Sequence, residues 1–228
     1  MFHGQNSSIK KETFIASWVK RKLFSRFFSK NRDYQFFIHQ KLIDSLHDTD
    51  FFIDGGANVG SVSRKALQAV SNPNLKIFAF EPDPMALVQL RSIHDPRIEI
   101  LDTAIWINKS EKFLYRHKEF SYNASTTSST LIASKSNVSA SSGIAVKTID
   151  ISDFVKEYEP LSLIMKLDIE GAEYEVLNHL ISEGTISRFN SIFCEYHPLK
   201  IRFGLSKHVW LLFRLLITKN SSRVFAWF

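Results

Sequence analysis

Three short segments gather carboxylates and glycines, and each follows an apolar run of strand length. The first is FIDGGANVGSVSRKAL, Phe52 to Leu67. Gly55 and Gly56 permit a tight turn from a strand into a helix, and Gly60 permits close helix–strand approach. Backbone N–H groups of Ala57, Asn58 and their neighbours then meet a ligand at the helix start, and Asp54 accepts hydrogen bonds from a cationic or hydroxylated one. The second segment, FAFEPDP, places Glu81 at a strand end 27 residues after Asp54. A carboxylate there suits the two ribose hydroxyls of an adenosine cofactor, with Pro82 and Pro84 setting the turn that follows. The third, IMKLDIEGAEYEVL, crowds Lys166, Asp168, Glu170, Glu173 and Glu175 around a strand end. Acids near a helix start are stabilised by its dipole, which accounts for Glu175. Asp168 and Glu170 flank the turn itself and suit a cofactor amine, a metal or a general base. His197, in Glu195-Tyr196-His197-Pro198, adds a group of near-neutral pKa at another strand end. Asp168, Glu170, Glu173 and His197 are therefore the candidate catalytic groups. Asp168, Glu170 and His197 are also a donor set for a divalent ion such as Mg, although no tight ligand spacing accompanies them.

The elements that must position these residues read as an alternation. Apolar runs at 51–53, 76–80, 98–101, 161–167 and 191–196 are predicted strands. Helical periodicity occupies 62–70, 84–93, the stripe from Ala172 to Ile181, and 207–217. Such alternation predicts a parallel sheet covered on both faces, whose ligands bind beyond the strands' carboxyl ends. Residues 104–116 read as strand, turn and strand around Asn108-Lys109-Ser110, 144–149 as a strand, and 223–228 as a last strand. Between Ser121 and Gly143 periodicity vanishes: 12 of residues 121–142 are Ser or Thr, which predicts a long loop beside a site. Tyr34–Leu46 reads as a helix turning Phe37, Leu42, Ile43 and Leu46 inward.

Composition sets the outer bounds. The 228 residues are 44% hydrophobic and 23% charged, a folded-protein composition and not a disordered one. One cysteine, Cys194, excludes a disulfide framework and a multi-cysteine zinc site. No apolar run reaches the roughly 20 residues of a membrane span, and no secretory signal is legible, so the expectation is a cytoplasmic protein. The net charge of +6 is uneven: residues 1–32 hold eight Lys and Arg against Glu12, leaving −1 for the rest. That arm carries Phe14, Trp18, Phe24 and Phe28 at helical spacing, so it either packs on the domain or lies peripherally on the inner face of a membrane. No basic stripe elsewhere extends a nucleic-acid footprint. The expected organisation is a helical extension over 1–49 and one domain over 50–228.

Taken in order, DGGANVG, FEPDP, VKTIDISDF, KLDIEGAE and CEYHP resemble the FkbM-type methyltransferases across about residues 50–200. The resemblance implies a class I, Rossmann-like three-layer α/β/α sandwich, mostly parallel with an antiparallel C-terminal strand; the family's sheet has seven strands, and this chain reads as one strand short of that. It implies S-adenosylmethionine as cofactor. Asp54, Gly55, Gly56, Ala57, Asn58 and Gly60 would line its methionine and ribose part, Glu81 and Pro82 its ribose hydroxyls, Asp102 and Ala104 its adenine, and Asp168 the methyl-transfer centre. The implied reaction is O-methylation, with a sugar hydroxyl of a glycan, glycolipid or glycosylated metabolite as the leading acceptor. A polyketide-like small molecule, or a membrane-associated protein that binds the cofactor without turnover, are the rival readings. An NAD-linked oxidoreductase shares the fold, but its G-x-G-x-x-G fingerprint is missing from Gly55-Gly56-Ala57-Asn58-Val59-Gly60.

Overall fold

The computed structural model describes residues 32–117, 129–135, 138–158 and 162–227. Helix α1 (Arg32–Leu46) leads into strand β1 (Phe51–Gly55), helix α2 (Ser61–Ala69), strand β2 (Lys76–Phe80), helix α3 (Pro84–Leu90) and strand β3 (Ile98–Leu101). A hairpin of β4 (Ala104–His117) and β5 (Val138–Asp150) follows, then α4 (Ile151–Tyr158), β6 (Leu163–Leu167) and α5 (Glu173–Ser182). A short 3₁₀ turn leads to β7 (Ser191–Cys194), α6 (Gly204–Ile217) and β8 (Val224–Ala226). The main sheet has the order β3-β2-β1-β6-β7-β8, and every adjacent pair in it is parallel.

Period-two alternation sorts the strand side chains between two cores. Ile53, Phe78, Phe80, Met165 and Ile192 face α4, α5 and α6, whereas Phe52, Ile77, Ile164 and Phe193 face α1 and α2. Ala79 and Ile100 lie under α3 on that second face. The result is the expected three-layer α/β/α sandwich. Both faces are covered, so β1 and β6 are buried almost throughout and are apolar apart from Asp54, Gly55 and Lys166. Strand order reverses between β1 and β6, whose register sets Asp54 opposite Lys166 and Gly55 opposite Leu167. The three chemistry-bearing segments therefore meet at the crevice where an open α/β sheet binds its ligands.

Four expectations need correction. The last strand is parallel to β7 and not antiparallel, because α6 crosses back over the sheet as a parallel connection requires. The main sheet has six strands among the described residues, one short of the family's seven as expected. Asn108-Lys109-Ser110 makes no turn: β4 runs through it with an irregularity, and the Thr148 hydroxyl donates across to the Asn108 carbonyl at 2.8 Å. Strand β5 begins at Val138, inside the Ser/Thr-rich stretch, since serine and threonine conceal a strand's alternation without preventing pairing. On α1, Leu42 and Leu46 are buried and Ile43 partly so, but Phe37 faces solvent. The basic arm falls almost wholly on residues 1–31, outside the described residues.

One turn in this crevice admits no side chain. Gly56 has φ +71°, and a Cβ there would lie 1.9 Å from the Asp168 carbonyl oxygen. Gly56→Ala is expected to destabilise the domain by about 1–3 kcal/mol, read as a lowered urea midpoint at unchanged slope.

Candidate functional site

The centre of the crevice is a buried cation. The Lys166 Nζ donates to the carbonyls of Gly56 at 2.8 Å and Gly55 at 3.3 Å. It also lies 3.4 Å from Asp54 Oδ1 and 3.8 Å from Asp168 Oδ2. Burial works to strip its proton, yet Asp54 and Asp168 prevail and hold its pKa above the ordinary lysine value. Asp54 is fully buried, with its second oxygen bonded by the Ser63 hydroxyl of α2 at 2.7 Å. Lys166 thus ties the glycine turn after β1 to the acidic turn after β6, and Asp54 braces it from below.

Glu81 faces the same space from the end of β2. Its two oxygens accept from the backbone N–H groups of Asn58 and Asp83, each at 2.8 Å. Burial nevertheless raises its pKa to about 7 against those bonds. Asn58 holds a left-handed conformation, φ 51°, which aims its N–H at that carboxylate. Asp83 caps α3 through the Met85 N–H and takes a two-point ion pair from Arg116 on β4 at 2.7 and 3.2 Å. The hairpin is thereby latched onto the Glu81 turn.

The third face is a network of charges behind Asp168. Glu170 (φ 57°) and Gly171 (φ 114°) make a left-handed turn that a Cβ on Gly171 would drive into Ile201. One Glu170 oxygen meets Lys135 Nζ at 2.6 Å, His197 Nε2 at 3.2 Å and Lys200 Nζ at 3.4 Å. Burial opposes its charge, but His197, Lys135 and Lys200 keep its pKa below the carboxylate norm. Glu173, wholly buried, accepts from the Gly171 N–H at 2.8 Å and pairs with His197 Nδ1 at 2.6 Å. Burial would lower the imidazole's pKa, but Glu173, Glu195 and Glu170 raise it to about 10. At neutral pH His197 is therefore an imidazolium donor, and the base role expected of it is not available to it. Glu173, with both oxygens committed, positions His197 and does not open onto the cavity. Asp168 differs from both: burial, resisted by Lys166 and His197, raises it to about 7. Its Oδ1 is buried without a hydrogen-bond partner.

These faces line one cavity, about 680 Å³ of space counted out through its mouth into solvent. Gly56, Asn58, Glu81, Pro82, Asp168 and Glu170 line it, together with Ala104. Asp54, Gly55, Ala57 and Gly60 stand behind it in the turn. Asp102 is set apart from the lining, exposed and paired with Arg91 at 3.2 Å. Asp168, Glu170 and His197 bring ligand atoms within 4.8 Å of one another, as a divalent ion would need. Asp168 Oδ1 and His197 Nε2 are buried without a hydrogen-bond partner, but Glu170 is neutralised by two lysines, and the raised pKa of His197 keeps a proton on the nitrogen that would have to ligate. The set does not fit a divalent ion as it stands, and no step is derived through one.

Sequence reasoning missed Lys135 and Arg116, whereas the lining stretch Ser129–Leu131 falls within the Ser/Thr-rich segment expected beside a site. Lys135, the lone cation between residues 121 and 142, carried the one available signal. Its side chain is fully enclosed, and burial lowers its pKa. Lys166→Met retains the length of the side chain but leaves Asp54 and Asp168 without their cation. The expected loss is about 3–5 kcal/mol of stability at pH 7, measured by chemical denaturation.

The family model described as the methyltransferase FkbM domain matches residues 54–218. No curated protein matches significantly. Among solved structures, methyltransferase FkbM from Methylobacillus flagellatus KT is similar at 16% identity and a TM-score of 0.45. That match covers 72% of this chain and 37% of the other, so the chain spans well under half of that protein's length. Precorrin-6y C5,15-methyltransferase from Geobacter metallireducens GS-15 matches at 17% identity and a TM-score of 0.38, covering 77% and 68% of the two chains. The plantazolicin methyltransferase BpumL, solved in complex with SAH, matches at 11% identity and 0.35, covering 94% and 77%. With the family model spanning most of its length, and with the glycine turn, Glu81 and the Asp168 turn around one crevice, this chain belongs to the FkbM methyltransferase family.

Proposed function

We propose that the protein is an S-adenosylmethionine-dependent O-methyltransferase acting on a hydroxyl, with a sugar in a glycan, glycolipid or glycosylated metabolite as the leading acceptor. The carrying observation is the convergence on one cavity of Gly56, Asn58, Glu81 and a half-open Asp168 with a free oxygen. Family membership supports the cofactor, and the hydroxyl-rich stretch Ser129–Thr130 at the cavity wall supports a polar acceptor.

The residues present fit that cofactor. Gly56 leaves open a cradle in which a Cβ would strike the Asp168 carbonyl, and the orphaned Asp168 Oδ1 awaits a donor or a positive centre. Asn58 and Glu81 would hold the ribose, Glu81 accepting from its hydroxyls, while Pro82, Ala104 and Ile105 offer apolar surface for a base. When bound, the cofactor supplies a methyl group on an electrophilic sulfonium. In-line displacement depends mainly on alignment, which the rigid turns after β1 and β6 provide. The acceptor hydroxyl must also give up a proton. Asp168, with a pKa near 7 and an unused oxygen, is matched to take it. Its carboxylate also offsets positive charge at the sulfur. Glu170, with one oxygen tied to Lys135, Lys200 and His197, keeps a fixed charge balance behind it.

The proton count gives the pH dependence. Asp168 loses its proton as pH rises through about 7, so the base form is scarce below that pH and dominant above it. The rate with a bound hydroxyl acceptor is expected to rise with one apparent pKa near 7. Asp168→Asn is expected to cut kcat by about 10²–10⁴ while S-adenosylhomocysteine still binds in calorimetry. Glu81→Ala is expected to abolish that binding. Full activity in Asp168→Asn overturns the base assignment; no binding of S-adenosylhomocysteine by the parent chain overturns the cofactor reading.

A further inference from the structure

Helix α6 is apolar on two sides. His208, Leu211 and Leu215 are buried against α5 and the sheet. Leu205, Val209, Trp210, Phe213 and Ile217 face outward, each half or more exposed, and the Trp210 and Phe213 rings lie against each other at 5.7 Å. A helix apolar on both sides normally has both covered. Phe203, just before the helix, is also exposed, with the Arg202 guanidinium over its ring.

Charge identifies what covers this face. Residues 199–223 contain Lys200, Arg202, Lys207, Arg214, Lys219 and Arg223 and no acidic residue, whereas residues 33–198 carry fifteen Lys and Arg against twenty-two Asp and Glu. Arg202 and Lys219 are exposed at the two ends of the helix. Lys200 and Lys207 are ion-paired with Glu170 and Glu175, so in a symmetric dimer, where the same patch faces itself, the exposed Arg202 and Lys219 of the two copies are the cations brought together. The N-terminal arm, at +7, is repelled for the same reason. An anionic lipid surface satisfies both the aromatic face and its basic ends.

We propose that the outward face of α6 docks on an anionic bilayer and so presents a membrane-anchored acceptor to the cavity. This rests on the methyltransferase reading for the acceptor, but not for the docking itself. The two are mechanically joined. Gly204 packs so tightly on the Pro198 carbonyl that a Cβ would come within 2.1 Å of it, and Ile201 fills the space beside Gly171. The start of α6 is therefore fixed to the segment that carries His197 and to the Glu170 turn. A glycolipid headgroup would reach the cavity while its tails stay in the bilayer.

Flotation of the full chain with vesicles tests this, using phosphatidylcholine alone and phosphatidylcholine mixed with phosphatidylglycerol. The parent is expected to float with the anionic vesicles only, and less at high salt. W210S/F213S is expected to lower partitioning by about tenfold or more, with S-adenosylhomocysteine affinity unchanged. In a chain also carrying Lys20→Gln, Arg21→Gln and Lys22→Gln, W210S/F213S is expected to cause the same further loss, which separates α6 from the arm. Equal flotation of W210S/F213S and parent overturns the proposal, as does failure of the parent to float. So does a parent dimer in sedimentation that W210S/F213S dissociates, which would make the face a contact between copies. Cofactor affinity is read independently, so a chain that floats but binds no cofactor contradicts the functional reading and leaves the docking intact.

Discussion

A single lysine ammonium with no route to bulk water organises this crevice. Lys166 is carried on the most enclosed strand of the sheet, where an isolated charge would cost several kcal/mol. It is tolerated because two carboxylates and two carbonyls surround it. Both carbonyls belong to the glycine turn after β1, and one of the carboxylates begins the acidic turn after β6. Parallel register makes this meeting unavoidable, since Asp54 and Lys166 are direct neighbours across β1 and β6. The geometry of the cavity floor is therefore set by a charge that is not itself among the residues lining the cavity.

From that centre the site separates into fixed and free charge. Glu170, Glu173, His197, Lys135 and Lys200 compensate one another, so they behave as a rigid electrostatic wall. Glu81 and Asp168 remain poised near neutrality because burial disfavours their anions and no bound cation fully answers it. Two carboxylates with similar pKa then serve different ends. In the proposed reaction Glu81, gripped by two backbone N–H groups, would be held still to receive hydroxyls, and Asp168, with one unpartnered oxygen, would take the proton.

Much of this was legible in the sequence, because local chemistry determined it. Gly55-Gly56 after an apolar run, Glu81 before prolines and Asp168 before Glu170-Gly171 each announce a turn at a strand end, and parallel topology then brings the ends together. What stayed hidden depends on long-range partners. Nothing local in the chain says that Arg116 reaches Asp83, or that Lys135 closes on Glu170 across thirty-five residues. His197 resembled a base for the same reason: its neighbour in sequence, Glu195, is visible, but Glu173, which fixes it as a cation, is on another element. Only the family resemblance makes Asp102 a cofactor contact, and its side chain turns out to Arg91. The parallel last strand depended on how α6 recrosses the sheet, which no residue pattern within β8 specifies.

The central claim is that one preorganised crevice between β1 and β6 binds the methyl donor against the Lys166-tethered glycine turn. A crystal structure of the chain with S-adenosylhomocysteine tests it most directly. The account expects the ribose hydroxyls on Glu81, the sulfur beside Asp168, and the Lys166 contacts to Gly55 and Gly56 unchanged. A ligand seated elsewhere, or a glycine turn that has released Lys166 to admit it, would contradict the account.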